Sequence, residues 1–174
     1  PEFLVGKTQP ANIDFPETSL QTTYLLSFGK HNDDNPQEWA QRLGYPRTGV
    51  MFGVTDFGNS EKIGQAMVLQ PYVEFDIGRK KRRDVSLNIG LGASYFKTNH
   101  VSLYNITNQA VSTRFTWNYR MFVNYRFGAK KKVNFRLSGG YFHHSNGHTK
   151  LPNQGLNSFL IGLSAQFNYK VRDT

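Results

Sequence analysis

A short segment in the last quarter of the chain combines the side chains that acyl-transfer chemistry requires. His143, Ser145 and Asn157 supply an imidazole, a hydroxyl and a carboxamide. An imidazole can take the proton of a serine hydroxyl that attacks an ester carbonyl, and a carboxamide oxygen can hold the imidazole in one tautomer. If the flanking runs are extended, His143 and Ser145 share a face, because side chains two residues apart in a strand point the same way. The segment therefore predicts a hydrolase site carried by one hairpin.

The flanking runs place these residues on apolar faces. Backwards from His143, alternate positions hold Tyr141, Gly139, Leu137, Phe135 and Val133. Onwards from Asn157, they hold Phe159, Ile161, Leu163, Ala165, Phe167 and Tyr169. We therefore predict that the candidate site lies at the end of an apolar surface rather than in a polar lumen.

The composition bounds the classes of protein that the chain can belong to. Its 174 residues suit one domain, which we expect to cover residues 1–174. A membrane-spanning helix needs about 20 apolar residues, and the apolar runs here are much shorter. The absence of cysteine excludes disulfides and thiolate metal sites. A net charge of +9 favours an anionic partner, either phosphate-bearing lipid or nucleic acid.

Alternation of apolar and polar residues predicts the architecture. In the run from Val111 to Phe127, the odd positions are mostly apolar or aromatic, and the even positions include Arg114, Arg120 and Arg126. In an outer-membrane barrel the apolar face meets lipid and the arginines line a polar interior, where Glu74 and Asp76 could pair with them. Rings and arginines on opposite faces also argue against a surface that stacks nucleic-acid bases.

Eight such runs indicate an all-β fold, an eight-stranded antiparallel transmembrane β-barrel of the outer membrane. The predicted strands are Phe3–Thr8, Thr18–Lys30, Arg47–Phe57, Ile63–Gly78, Val85–Phe96, Val111–Phe127, Val133–His143 and Asn157–Val171. Pro71 interrupts one run and predicts a bulge or a break in the ladder. The segment Pro36–Leu43 predicts one or two helical turns that end near Gly44 and Pro46.

The connections between these strands predict the orientation of the barrel. The connections Arg79–Asp84 and Gly128–Lys132 are short and basic, whereas Thr98–Ala110 and Asn146–Leu156 are longer. Short turns face the periplasm in such barrels and long loops face outward. We therefore expect both ends of the chain and the segment His31–Pro46 on the periplasmic side.

The site segment resembles the signature of the outer-membrane lipid A 3-O-deacylases, the PagL family. That pattern runs His-x-Ser-Asn, then Pro-Asn-x-Gly, then an acidic residue, and the matching positions here are His143, Ser145, Asn146, Pro152, Asn153 and Gly155. The resemblance implies an eight-stranded membrane barrel in a Gram-negative outer membrane. It also implies an active site on the lipid-facing exterior that hydrolyses the ester at the 3-position of lipid A, with lipopolysaccharide as substrate and membrane lipid as surroundings.

Within that resemblance, each residue of the segment takes an expected role. Ser145 is the expected nucleophile, His143 its base and Asn157 the residue that orients His143. Asn146 and Gly147 are candidates for donating hydrogen bonds to the oxyanion, and Asn153 and Gly155 are expected to shape the loop. We also consider Lys97, His100 and Lys150 as partners for lipid A phosphates, with ordinary solvated charge as the equal alternative.

Two departures from the family pattern leave alternatives open. Asn157 stands where the family usually carries a glutamate, and a neutral amide stabilises an imidazolium less than a carboxylate does. A weak or inactive member could serve as a structural or partner-binding barrel in an outer-membrane protein assembly. The sequence ends on Val171-Arg172-Asp173-Thr174 rather than on an aromatic residue, which leaves open that it is a segment of a longer chain.

Two further interpretations concern the histidines and the solubility of the chain. His143 and His144 are adjacent on a predicted strand and face opposite ways, and no carboxylate stands in the segment, so we expect no metal site and no cofactor. A soluble lipocalin-like binder with an apolar interior is the third functional alternative. Solubility without detergent would support that alternative.

Overall fold

Eight antiparallel strands close into a barrel in the computed structural model, which describes residues 1–77, 84–101, 103–127 and 132–168. The strands are β1 (Glu2–Gln9), β2 (Gln21–Lys30), β3 (Arg47–Asp56), β4 (Gln65–Asp76), β5 (Val85–Phe96), β6 (Phe115–Phe127), β7 (Val133–Ser145) and β8 (Leu156–Phe167). Each strand pairs with the next along the chain, and β1 pairs with β8. The predicted all-β, eight-stranded barrel is confirmed.

One short helix lies between β2 and β3. Helix α1 spans Glu38–Arg42, inside the segment for which helical turns were predicted. It is followed by Gly44 and Tyr45, whose φ values of 71° and 57° turn the chain back into β3. Among the described residues, no helix is both long enough and apolar enough to cross a membrane.

The alternation along each strand places apolar side chains outside and polar side chains inside. On β6, Phe115 and Trp117 are 71% and 63% exposed, whereas Asn118 and Arg120 are 0% and 2% exposed. Every other strand also carries exposed large apolar side chains. An exterior of this kind is stable only against lipid, because it would otherwise place a continuous apolar band in water. The soluble lipocalin-like alternative is therefore wrong.

Buried ion pairs hold the polar interior together. Glu74 accepts hydrogen bonds from Arg47 at 3.1 Å and from Arg136 at 2.9 Å. Asp76 lies 3.7 Å from Arg126, as predicted for the arginines of β6. Arg120 pairs instead with Glu2 of β1 at 2.8 Å, a contact that sequence alternation did not indicate. These pairs matter for stability because removing one partner leaves a buried charge uncompensated.

Two apolar clusters also occupy the interior, in contrast to the polar lumen expected from alternation alone. The first lies among the strands and consists of Leu4, Leu25, Met51, Val68, Tyr72, Phe122, Phe142 and Leu160. The second includes loop residues at the predicted outer end and consists of Phe15, Phe57, Ile63, Ala66, Phe96, Ala110, Val111 and Leu156. The barrel thus has a packed core, and its candidate site is approached from the outer wall.

The start of β6 differs from the sequence prediction. The strand begins at Phe115 rather than at Val111, because Val111 is buried in the second apolar cluster and Ser112 bonds to the carbonyl of Lys150. Arg114 is consequently exposed, and its Nη1 lies 3.3 Å from the hydroxyl of Tyr95. It does not line the interior, so only two of the three predicted arginines of this run do.

Pro71 interrupts one ladder of β4 without shifting its register. Pairing with β5 covers Ala66 to Leu69 and resumes at Tyr72, on the same register. The pairing with β3 continues through Pro71, which lies opposite Val50. The predicted break is confirmed on one side, and the predicted bulge is not found. Parts of the predicted strand ends and basic turns, at residues 78–83, 128–131 and 169–171, lie outside the described residues.

Candidate active site

The ends of β7 and β8 bring the candidate residues together across one hairpin. His143 on β7 lies opposite Asn157 on β8, and the Nδ1 atom of His143 is 2.8 Å from the Oδ1 atom of Asn157. Ser145 follows two residues later on the same outward face of β7. The predicted placement at the end of an apolar surface therefore matches the structure, since Tyr141 and Phe159 form the next outward pair of the same two strands.

Asn157 presents an oxygen to His143 and thereby selects its tautomer. Oδ1 accepts a hydrogen bond from the hydroxyl of Tyr141 at 2.5 Å as well as the bond to His143. A carboxamide oxygen only accepts hydrogen bonds, so Nδ1 of His143 must carry the proton. In the neutral imidazole, the other ring nitrogen, Nε2, then carries no proton, which is the tautomer that a general base requires.

Ser145 is held at the mouth of the following loop by two donors. Its Oγ accepts hydrogen bonds from the backbone N–H of Gly147 at 3.1 Å and from Nδ2 of Asn153 at 2.9 Å. Ser145 Oγ is the acceptor in both bonds, so its hydroxyl proton remains available for donation to another group. Among the described contacts of this resting structure, no hydrogen bond joins Ser145 to His143, and catalytic hydrogen bonds often tighten only when substrate binds.

Gly155 lies between the two candidate catalytic side chains. Its φ is +73°, a conformation that glycine adopts without strain. A Cβ atom at this position would be 3.1 Å from Cε1 of His143 and 3.7 Å from Cβ of Ser145. The lack of a side chain at Gly155 therefore leaves the space in which the imidazole sits next to the serine.

The loop of residues 146–155 is fastened to the loop of residues 97–114. The backbone N–H groups of Gln154 and Gly155 donate to the carbonyls of Gln109 and Ala110, both at 3.0 Å. Asn146 is buried, its N–H donates to Oδ1 of Asn153, and its Nδ2 donates to Ser112 and to the carbonyl of Lys150. The donors of Asn146 are thus engaged within the loops.

A model of the family described as Lipid A 3-O-deacylase (PagL) matches residues 22–166 of the chain. The chain belongs to the PagL family. The match covers seven of the eight strands, β2 to β8, and every candidate site residue. It therefore extends far beyond the short segment whose motif resembles the family. A search of curated proteins found no match, and a search of solved structures found none either.

Membership of the PagL family indicates the membrane in which the barrel lies and the reaction that the family catalyses. PagL proteins are outer-membrane barrels that act on lipid A as 3-O-deacylases, a class of ester hydrolases. The outward face of the strands therefore contacts lipid, and His143, Ser145 and Asn157 lie where that face meets the outer loops. The predicted localisation in the outer membrane is confirmed.

Two contacts in the site were missed by sequence reasoning. Asn153 was expected only to shape the loop, but its Nδ2 reaches Oγ of Ser145. Tyr141 was counted only as part of an apolar face, but its hydroxyl reaches Asn157. The second contact had a usable signal, because residues diagonal to each other across a strand pair lie within reach of an aromatic side chain. The first depends on the loop conformation, which alternation does not describe.

His144 faces the barrel interior, opposite to His143. It is 0% exposed, and its ring meets Phe57 and Phe96 edge-on at centroid distances of 5.2 and 5.9 Å. The alternation argument had placed these two histidines on opposite faces. In the described ranges of the chain, no three His, Asp or Glu residues are grouped so that they could hold a metal ion.

Proposed function

We propose that this PagL family member removes the 3-O-acyl chain of lipid A with Ser145 as nucleophile, His143 as base and Asn157 as the residue that orients His143. The observation that carries the proposal is the bond between Nδ1 of His143 and Oδ1 of Asn157, 2.8 Å long, on the lipid-facing wall beside Ser145. This bond holds the proton of the neutral imidazole on Nδ1, which leaves Nε2 of His143 able to accept the proton of Ser145.

The reaction would proceed through an acyl-enzyme. Nε2 of His143 takes the proton of Ser145 as its Oγ attacks the ester carbonyl, and the carbonyl carbon becomes tetrahedral. When this intermediate collapses, the bond to the sugar oxygen breaks and His143 returns the proton to that oxygen. A water molecule then gives a proton to His143 and attacks the acyl-enzyme. When this second tetrahedral intermediate collapses, the bond to Oγ of Ser145 breaks, His143 returns the proton to Oγ, and the free fatty acid leaves.

Gly147 and Asn153 are the donors best placed to stabilise the oxyanion. Their N–H groups already lie 3.1 and 2.9 Å from Oγ of Ser145. The oxyanion forms on the carbon bonded to Oγ, so both donors are within a small movement of it. Once aligned on the oxyanion, each such donor contributes roughly 10²- to 10³-fold to the rate. Gly147 was proposed for this role from the sequence, and Asn153 replaces Asn146 as its partner.

The direct test of this function is mass spectrometry of purified lipid A incubated with the detergent-solubilised protein. The expected product is lipid A that has lost one ester-linked acyl chain from the 3-position, together with the free fatty acid. Unchanged lipid A would favour the second candidate function, a structural or partner-binding barrel, which the neutral Asn157 in place of the usual glutamate makes worth testing.

Replacing Asn157 with glutamate is expected to raise kcat by about tenfold or more. A carboxylate accepts the same bond from His143 and also stabilises the imidazolium that forms when Ser145 loses its proton. The measurement is the rate of fatty-acid release from lipid A by wild type and by Asn157→Glu. A structural barrel would release fatty acid in neither case.

The matched control for this substitution is Gln9→Glu. Gln9 lies opposite Asn157 on the neighbouring strand β1, so it places a carboxylate at the same height of the barrel wall without contacting His143. The rate of this control should stay within about twofold of wild type. An equal increase in both variants would show that negative charge near the site acts on the substrate and not through His143.

The outer rim beside the site is basic, which fits the phosphates of lipid A. The loops 97–114 and 146–155 contain no Asp or Glu and carry Lys97, Arg114 and Lys150, all exposed. The loops 10–20 and 57–64 carry three carboxylates and one lysine. The third residue considered for this role, His100, has its Nδ1 atom 3.1 Å from the carbonyl oxygen of Asn108. We propose that the basic rim orients the anionic headgroup over Ser145.

Removing two of these charges is expected to raise KM with little change in kcat. For Lys97→Gln combined with Lys150→Gln, we expect KM for phosphorylated lipid A to rise about ten- to thirtyfold at low salt, since each lysine near an anionic lipid surface contributes roughly 1 kcal/mol before screening. The control is Lys62→Gln, on one of the opposite loops. Equal KM values for phosphorylated and dephosphorylated lipid A in the wild type would contradict this role.

A further inference from the structure

Tyr141 makes two contacts with the orienting pair that its place on an apolar face does not require. Its hydroxyl donates to Oδ1 of Asn157 at 2.5 Å, the same atom that lies 2.8 Å from His143. Its ring stacks on the ring of His143, with centroids 6.1 Å apart and planes inclined by 14°. One side chain thus contacts both members of the pair that sets the protonation of the base.

A neutral carboxamide, unlike a carboxylate, has two different ends and can therefore present either an acceptor or a donor to His143. Rotation of the Asn157 amide by half a turn would present Nδ2, a donor, to His143 instead of Oδ1. His143 would then carry its proton on Nε2 and accept from Nδ2 through Nδ1. In that tautomer Nε2 cannot accept the proton of Ser145, so the site would be inactive.

The hydroxyl of Tyr141 favours the active orientation of the amide. A phenolic O–H is a stronger hydrogen-bond donor than its oxygen is an acceptor. The bond donated by Tyr141 therefore favours Oδ1 over Nδ2 at the position of the Asn157 amide that faces both the Tyr141 hydroxyl and Nδ1 of His143. An amide oxygen has two lone pairs, and in this arrangement Tyr141 and His143 each use one of them.

We propose that Tyr141 is a positioning residue, which holds the amide of Asn157 so that its oxygen faces His143 and keeps Nε2 of His143 free to act as the base. The proposal rests on the proposed function for the use of that base, but its structural part stands alone. This role of Tyr141 depends on the presence of asparagine, instead of the usual glutamate, at position 157. A glutamate there would present an oxygen to His143 in either orientation and would not need the Tyr141 hydroxyl.

The structural part is tested by ¹⁵N NMR of the histidine side chains in detergent micelles, which distinguishes the Nδ1–H tautomer from the Nε2–H tautomer. The His143 signals are assigned with a His143→Ala variant. We expect wild type to hold His143 mainly as the Nδ1–H tautomer and Tyr141→Phe to show a substantial Nε2–H population. The phenylalanine keeps the stacked ring and removes only the hydroxyl. An unchanged tautomer in Tyr141→Phe would overturn the proposal.

The kinetic part is tested on the same variants with lipid A as substrate. We expect Tyr141→Phe to lower kcat about five- to tenfold with little change in KM, a loss of the size expected for one net hydrogen bond. In the Asn157→Glu background, the same substitution should change kcat by less than about twofold. An equal loss in both backgrounds would show that Tyr141 acts on packing and would overturn its role through the amide.

The control for a general effect of tyrosine hydroxyls is Tyr119→Phe. Tyr119 lies opposite His143 on β6, so it is the cross-strand neighbour of His143 on the side away from Asn157. Its substitution should leave the His143 tautomer as in wild type. If no variant cleaves lipid A, the proposed function fails, and the NMR measurement still decides whether Tyr141 sets the tautomer.

Discussion

Replacing Ser145 with alanine is expected to lower the rate of lipid A deacylation by at least about 10⁴-fold, because removal of the nucleophile of a serine hydrolase removes the acyl-enzyme route. The fold should be unaffected, since Ser145 is at the end of β7 and its Oγ receives only two hydrogen bonds from the following loop. The measurement is the time course of fatty-acid release, followed by mass spectrometry of the remaining lipid A.

The control for this variant is Ser60→Ala. Ser60 is an exposed serine in the loop between β3 and β4, at the same end of the barrel as the site but in a different loop. It should deacylate lipid A at the wild-type rate. If Ser145→Ala retained most of the activity while remaining folded, the nucleophile would have to be another group, and the assignment of His143 and Asn157 would lose its basis.

Replacing Gly155 with alanine is expected to lower the deacylation rate by about 10²-fold. The added Cβ would be 3.1 Å from Cε1 of His143 and 3.1 Å from the carbonyl oxygen of His144. The carbonyl belongs to the β7 backbone and cannot easily move, so the imidazole must shift away. Displacement of a catalytic group is costly, since a misplacement of about 1 Å can lower a rate by about 10²-fold.

The control for Gly155→Ala must separate this clash from backbone strain. Gly44 has φ of +71°, close to the +73° of Gly155, and a Cβ atom there would have nothing within 4 Å. Gly44→Ala therefore carries the same conformational cost at the opposite end of the barrel, and its deacylation rate should be that of wild type. Thermal unfolding of both variants shows whether stability falls equally. A wild-type rate for Gly155→Ala would contradict the placement of His143 beside this glycine.

The strand pattern was predictable because the barrel wall separates two environments. Alternating side chains face lipid or the interior, and a strand has a period of two, so sequence parity identifies the outward residues. This is why β5 and β7, and the outward placement of His143, Ser145 and Asn157, follow from the sequence. Prediction failed at the start of β6, where Val111 leaves the strand pattern to fill the apolar cluster beneath the outer loops.

Contacts between strands that are distant in sequence were not predictable from parity. Glu2 pairs with Arg120 across the interior, and Arg47 and Arg136 share Glu74. Parity states which residues face inward but not which of them meet, because that depends on the register and height of each strand in the closed barrel.

The sequence by itself determined the fold class, the outward face of the site, and the residue types available for ester hydrolysis. Local periodicity and a short motif carry that information because they depend on neighbours along the chain. Only the tertiary structure decided that β8 places Asn157 against His143, that the folded loop brings Asn153 to Ser145, and that Tyr141 reaches Asn157 diagonally. These contacts depend on strand register and loop closure, which are set by packing across the whole barrel.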